Sequence, residues 1–276
     1  MQEVANYVQA LNHGLRSGLP VCLRLMKEMH EILLGRGVRG TEKRPGQFRE
    51  IQNYIGSEER GFEAARFVPP PPGEILEQKL GALERFIKND PGHGLRPLVA
   101  VAMAHYQFEC IHPFRDGNGR IGRLVVALSL CQSGLLSKPF VYVSGYFEAH
   151  RDEYFRLLLA VSAHGAWFEW IRFFLRAVSS QAADAVERIV RLRGLRRRYR
   201  EALSEINAPA KALHLADKLL ERPLVKVSAV AKRLGVSKPT ARGYIHRLVE
   251  IGALRELRSN YRQRWIAPEV IQIIEG

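Results

Sequence analysis

Cysteine is scarce. Cys22, Cys110 and Cys131 are the only three in 276 residues, they lie far apart among apolar neighbours, and no CxxC occurs. That excludes a disulfide scaffold and a cysteine-based metal or redox motif, and it fits reduced core thiols in a cytoplasmic protein. Long hydrophobic runs are missing too: the longest, such as Leu98–Ala104 and Leu124–Cys131, fall well short of the roughly 18 residues that a membrane-spanning helix requires. The opening Met1-Gln2-Glu3-Val4 has neither the basic start nor the apolar core of a secretion signal. Neither a GxxxxGK(S/T) phosphate loop nor the HRD and DFG pair of protein kinases is present. Acidic residues are in deficit, 28 Asp and Glu against 42 Lys and Arg, for a formal charge of +14. Such an excess calls for an anionic partner.

The excess is not evenly spread. Residues 1–189 carry 23 basic and 20 acidic side chains, whereas residues 190–276 carry 19 and 8. The expected organisation is a near-neutral domain over 1–189, an arginine-dense helical connector over 190–208, and a basic domain over 209–276. With 46% hydrophobic and 25% charged residues, the composition is that of ordinary folded domains. The first domain is mainly α by pattern. Residues 73–89 carry a helical stripe of Ile75, Leu76, Leu80, Leu83 and Phe86–Ile87, and residues 97–111 are apolar on nearly every face, as a buried central helix would be. Residues 124–135, 151–163 and 167–190 read as further helices. The segment of about 45–72 breaks the pattern, with two short stretches, Gln47–Ile55 and Ala65–Val68, a Gly- and Glu-rich turn, and the exit Pro69–Pro72. A β-hairpin or extended flap is expected there.

The chemistry lies between the helices, in His112-Pro113-Phe114-Arg115-Asp116-Gly117-Asn118-Gly119-Arg120-Ile121-Gly122-Arg123. Gly117 and Gly119 permit backbone conformations in which successive N–H groups converge, and the helix that follows adds its positive N-terminal end. Together they form an anion cradle suited to phosphate. Arg120 and Arg123, three residues apart, face one side of that helix and can clamp further phosphoryl oxygens. Asp116 beside a phosphate site is placed to hold Mg²⁺, and His112 is the candidate general base for a hydroxyl nucleophile. Phe114 is expected to plug the loop into the core.

This segment resembles the Fic (filamentation induced by cAMP) signature HxFx(D/E)GNGRxxR at every specified position. FREIQNYIG, FVPPPP, HYQFECIHPF, GLLSKPFVYVSGYF and RDEYFRLLLAV are likewise similar to segments of Fic proteins that carry a C-terminal winged helix. The resemblance implies a Fic-type helical core and adenylyl transfer (AMPylation): ATP gives AMP to a Ser, Thr or Tyr hydroxyl of a target protein or of the enzyme itself, and pyrophosphate leaves. His112 would deprotonate the hydroxyl, and Asp116 would hold Mg²⁺ against the α- and β-phosphates. Asn118 and the Gly117–Gly119 backbone would hold the α-phosphate, with Arg120 and Arg123 on the β- and γ-phosphates. The flap would take the target segment as an added strand. Arg66, Phe67 and Val68 would border the nucleotide, and Tyr154 would stack near adenine, although His150 and Phe155 stand where the family's NRxxYY has Asn and the second Tyr. The family's inhibitory pattern (S/T)xxxE(G/N), whose Glu pairs with the second motif arginine, is not found ahead of Glu3, and before Glu275-Gly276 the required Ser or Thr is Ile271. The expectation is a chain competent for ATP without its own brake; a start later than the natural one, a truncation, and inhibition by a separate chain all remain open.

The basic region resembles a winged helix-turn-helix. An amphipathic helix over 209–223 is followed by Ser228–Leu234, the tight turn Gly235-Val236-Ser237, a recognition helix Ser237–Val249 and two β segments within Leu254–Ile266. Lys238, Thr240, Arg242, Tyr244 and Arg247 would face DNA, with Arg258, Arg262 and Arg264 in the wing. Two functions follow from different classes: a protein adenylyltransferase located by its winged helix, or a DNA-binding transcriptional regulator whose Fic core senses nucleotide. A homodimer and an inhibitory chain are further candidate partners, and no membrane is.

Overall fold

The computed structural model describes residues 2–35, 44–56, 65–88, 92, 94–257 and 263–275. The chain divides into two compact units, Met1–Ala182 and Ala183–Gly276. In the first unit α1 (Gln2–Arg16) and α2 (Leu23–Leu33) precede a two-stranded flap of β1 (Ile55–Gly56) and β2 (Ala65–Phe67). Then come α3 (Glu74–Ile87), α4 (Pro97–Ile111), α5 (Asn118–Gln132), α6 (Val143–Ala149), α7 (Arg151–His164) and the start of α8 (Trp167–Glu205). The helix read over 97–111 from its uniform apolarity is α4, and the one read over 151–163 is α7, which runs one residue further. α1, α2 and α6 were not read from the sequence.

α4 and α5 pack against each other at the centre of this unit, with α3 on α4 and α1 and α2 on α5. Pro97 in the first turn of α4 gives up an N–H that would be unpaired in any case. Two apolar clusters flank the pair. One joins Leu25, Met29, Leu80, Phe108, Phe114 and Leu124. The other is aromatic, with Tyr106, Phe147, Tyr154, Trp170, Phe173 and Phe174 packed together, and Trp170 Nε1 donates to the Ala102 carbonyl at 2.9 Å. The flap strands are antiparallel, Ile55 opposite Phe67. Residues 47–54, expected as strand, are instead tied down by side chains.

The second unit contains the remainder of α8, α9 (Ala210–Leu219), β3 (Leu224–Val225), α10 (Val227–Leu234), α11 (Lys238–Glu250), β4 (Arg255–Leu257), β5 (Arg264–Ile266) and α12 (Pro268–Glu275). Its sheet has the order β3-β5-β4, with Leu224 opposite Ile266 and Glu256 opposite Trp265. Residues 190–205, expected as part of a connector, continue α8 and send Leu195, Tyr199 and Leu203 into the core around Trp265, Ile245 and Leu248. Gly235 (φ 60°) makes the left-handed end of α10, and Ser237 Oγ accepts from Thr240 N to cap α11.

Phe114 is fully buried and stacks on His30 with ring centres 3.8 Å apart. Phe114→Ala is expected to lower the stability of the first unit by about 3–5 kcal/mol, read as a shifted midpoint in chemical denaturation followed by near-UV circular dichroism.

Candidate active site

α4 ends at His112, which adopts the left-handed conformation (φ 48°, ψ 59°) rare for a residue with a side chain. That turn puts the imidazole at the mouth of the loop to α5. His112 Nδ1 lies 3.2 Å from the Glu109 carbonyl, and since a carbonyl only accepts, Nδ1 carries the proton and Nε2 presents its lone pair. Burial, aided by Arg49, pushes the His112 pKa down to about 4, so the ring is neutral near pH 7.

The loop is closed by Asn118. Its Oδ1 accepts from Phe114 N at 2.8 Å and its Nδ2 donates to Phe114 O at 2.7 Å. Both ends of the buried amide are therefore engaged with the loop, whereas the sequence placed Asn118 on the α-phosphate. Asn53 of the flap donates to the same Phe114 carbonyl at 2.8 Å. Gly117 opens α5 with φ 77°, a conformation that favours glycine. The first N–H groups of α5 have no carbonyl within the helix to bind and border a cavity of about 660 Å³ lined by His112, Asp116, Gly117, Gly119, Arg120 and Arg123. Arg120 Nη2 lies 3.6 Å from Asp116 Oδ1. At Gly119 a Cβ would come within 3.0 Å of Arg123 Nη1, so glycine here lets that guanidinium lie across the loop.

A second cavity of about 850 Å³ shares Ile55, Gly56 and His112 with the first and is walled by Arg66 and Phe67 of the flap and by Phe155 of α7. Val68 is exposed and does not line it. Tyr154 does not line it either: it is buried among Phe147, Trp170 and Phe173, and its hydroxyl meets His105 Nε2 at 3.0 Å. The neighbouring Phe155 faces the cavity in its place, with the Arg151 guanidinium 5.4 Å from its ring centre.

Two positioning residues escaped the sequence reading. Arg49 is 3% exposed and donates to the carbonyls of His112 at 2.9 Å, Ile51 at 3.2 Å, Ile111 at 3.3 Å, and Pro70. It thereby fastens both ends of the flap to the C-terminus of α4, where the helix dipole favours a cation. His30 is fully buried. Its Nδ1 accepts from Gly46 N at 2.9 Å, and its Nε2 donates to the Asp116 carbonyl at 3.0 Å. Arg49 lies in the FREIQNYIG stretch, but that resemblance assigns it no role, and nothing in the sequence marks His30; both reach partners distant in the chain.

In the second unit Lys238, Thr240, Arg242 and Arg247 are exposed on α11, and Tyr244 is half-buried against the core. Arg264 is half-buried in β5. Arg258 and Arg262 lie outside the described residues.

The Fic/DOC family model matches residues 20–130, a span that holds α2, the flap, α4, the His112 loop and most of α5. The chain carries a Fic/DOC domain. Residues 210–258 match the IclR helix-turn-helix domain. The chain is 31% identical over 193 residues to a protein adenylyltransferase Fic of Culex quinquefasciatus, covering 70% of this chain and 32% of that one. It is 34% identical over 124 residues to a protein adenylyltransferase Fic of Drosophila grimshawi, covering 45% and 23%. This chain therefore spans a third or less of the length of these relatives. Among solved structures, a Fic family protein from Desulfovibrio desulfuricans G20 shares the fold with a TM-score of 0.58 and 22% identity, over 96% of this chain and 74% of that one. A Fic domain containing signaling protein from Bacteroides thetaiotaomicron VPI-5482 has a TM-score of 0.52 and 18% identity, over 67% and 71%.

Arg49→Lys keeps the charge but loses the fork that reaches four carbonyls. It is expected to cost about 2–4 kcal/mol and to speed amide hydrogen exchange at Ile55 and Phe67. The histidines predict an acid limit. Burial lowers His30 and His112 to about 4 and His105 to about 3, against roughly 6.5 in an unfolded chain. Their contribution to stability is complete above about pH 6.5 and is lost as pH falls toward 4, by about 1.4 kcal/mol per pH unit for each. Thermal midpoints measured against pH check this.

Proposed function

We propose that the Fic domain is a protein adenylyltransferase, moving AMP from ATP to a Ser, Thr or Tyr hydroxyl of a target protein or of itself. The observation that carries the reading is His112: its Nδ1 is tied to a carbonyl, its Nε2 has no hydrogen bond among the described residues, and it borders both the anion cavity and the larger one beside it. The triphosphate lies at the start of α5, where the backbone N–H groups from Asn118 to Arg120 receive the α-phosphate and Arg120 and Arg123 neutralise the β- and γ-phosphates. The base enters the larger cavity between Phe67 and Phe155, a role the sequence reading gave to Tyr154. The target backbone docks on the flap and brings its hydroxyl to His112.

The hydroxyl proton passes to His112 Nε2 and the oxygen bonds to the α-phosphorus. The bond from that phosphorus to the oxygen bridging to the β-phosphate breaks, and its electron pair leaves on pyrophosphate. Positioning and charge neutralisation supply most of the acceleration. Among the described residues no three His, Cys, Asp or Glu side chains gather as a metal cage. One carboxylate at the edge of an anion cavity, Asp116, suits an ion that keeps several waters and takes its other ligands from phosphates, as Mg²⁺ does. Asp116 would hold that ion, which neutralises phosphate charge when bound. The names of the curated relatives support the reading.

The second reading, a DNA-binding regulator with a nucleotide-sensing core, is favoured by the IclR helix-turn-helix match and by the exposed Lys238 and Arg242 on α11. The two readings are compatible if the winged helix locates the enzyme.

With Mg²⁺ and ATP labelled on the α- or the γ-phosphate, label is expected on protein from the α-position alone, and His112→Ala is expected to reduce it by at least about 10²-fold. Label from the γ-position would replace adenylylation with phosphorylation. If α11 meets DNA, duplex binding at low salt will fall steeply as salt rises and weaken in Lys238→Ala/Arg242→Ala; absence of binding to any duplex at low salt removes this second reading.

A further inference from the structure

Glu109 sits on the last turn of α4, three residues before His112; it also lines part of the larger cavity but takes no part in the transfer chemistry. Its Oε1 is buried without a hydrogen-bond partner among the described residues, and so are Arg123 Nε and His105 Nδ1. The carboxyl and the His105 ring converge on Gly122, the residue before Arg123. A Cβ at Gly122 would lie 2.3 Å from Glu109 Oε1, 3.1 Å from Phe108 Cδ1 and 3.3 Å from His105 Cε1. Glycine at this variable position of the loop motif is therefore what gives the Glu109 carboxyl its place between α4 and α5. Arg123 reaches the other way, with Nη1 over Gly119 in the anion cavity. Glu109 and Arg123 attract each other across the interior, yet no ion pair within 4.0 Å joins them in the described structure. The guanidinium thus lies between two anionic claimants, a carboxyl behind it and a phosphate site in front.

We propose that Glu109 is a positioning residue that competes with the nucleotide for Arg123: as a carboxylate it draws the guanidinium back from the phosphate cavity, and as a neutral carboxyl it releases it. The proposal rests on the reading of Arg123 as a phosphate ligand.

The competition has a definite pH sign. Burial raises Glu109 to about 7 against the pull of Arg123, so both forms are present near neutrality. When a triphosphate holds Arg123, the carboxyl loses its counter-charge and gains a nearby anion, and both changes favour its proton. Nucleotide binding then takes up a proton, and affinity falls as pH rises through about 7. The other groups around the pair do not titrate in that window. His105 lies at about 3 and His112 at about 4. Tyr7 of α1, which faces Arg123, is raised to about 12, and Tyr154 of α7 and Cys110 of α4 are raised by burial. Arg66, Arg151 and Asp152 line the adjoining cavity and are unchanged between wild type and a Glu109 variant.

The test is calorimetric titration of the whole chain with α,β-methylene ATP and Mg²⁺, from about pH 6 to about pH 8, in buffers of different ionisation heat. The wild type is expected to take up about half a proton per nucleotide near neutrality and to lose about tenfold in affinity across that range. Glu109→Gln, which keeps the shape of the side chain, is expected to bind without that uptake and with nearly constant affinity. Equal proton uptake in both proteins, or none in the wild type, would overturn the competition while leaving the nucleotide site in place. A wild type that binds no nucleotide at any pH would overturn the site itself, and this proposal with it.

Discussion

Arg49 carries a positive charge into the interior with no ion pair among the described residues, and the site depends on how that charge is met. Four backbone carbonyls surround it, two at the end of α4 and one at each end of the flap. A buried guanidinium left without such partners would cost several kcal/mol, so the flap is held as strongly as the charge needs its acceptors. The same contact fixes the His112 carbonyl, and with it the left-handed turn that sets the imidazole at the mouth of the loop. Flap and imidazole are thus positioned by one side chain.

The loop is built on the same economy. Asn118 spends its amide on the Phe114 backbone, His30 bridges Gly46 and the Asp116 carbonyl, and Phe114 fills the space beneath. With side chains closing the loop, the N–H groups at the start of α5 face the cavity, beside Arg123 and the Arg120 guanidinium that lies 3.6 Å from Asp116 Oδ1. The net basicity of the chain plays little part in this, since residues 1–189 are nearly neutral and the proposed anion site consists of a few placed groups. The remaining charge belongs to α8 and the winged helix, where Arg196 and Arg200 are already paired with Asp217.

How much of this could be read from sequence follows from how local each determinant is. The segment from His112 to Arg123 carries its chemistry contiguously, and α4 announces itself by uniform apolarity bounded by Pro97. Arg49, His30 and Asn53 each have a partner 61 to 86 residues away, so no spacing rule finds them. Tyr154 and Phe155 differ by one step of a helix, and which of them turns inward is decided by packing against Phe147, Trp170 and Phe173. A hairpin was legible in the flap, but residues 47–54 fail to continue the strand because Arg49, Gln52 and Asn53 use their side chains where a ladder would use backbone. Gly122 looked like a free position in the motif, and only the approach of Glu109 shows what its missing Cβ permits.

The central claim is that the fold holds a neutral imidazole at position 112 with Nδ1 protonated and Nε2 unbonded among the described residues, before any substrate arrives. Histidine ¹⁵N chemical shifts report this directly in the intact protein. The account predicts that His112 at pH 7 is the neutral tautomer with its proton on Nδ1, and that it gains a second proton only near pH 4. An Nε2-protonated ring, or an imidazolium at pH 7, would contradict it.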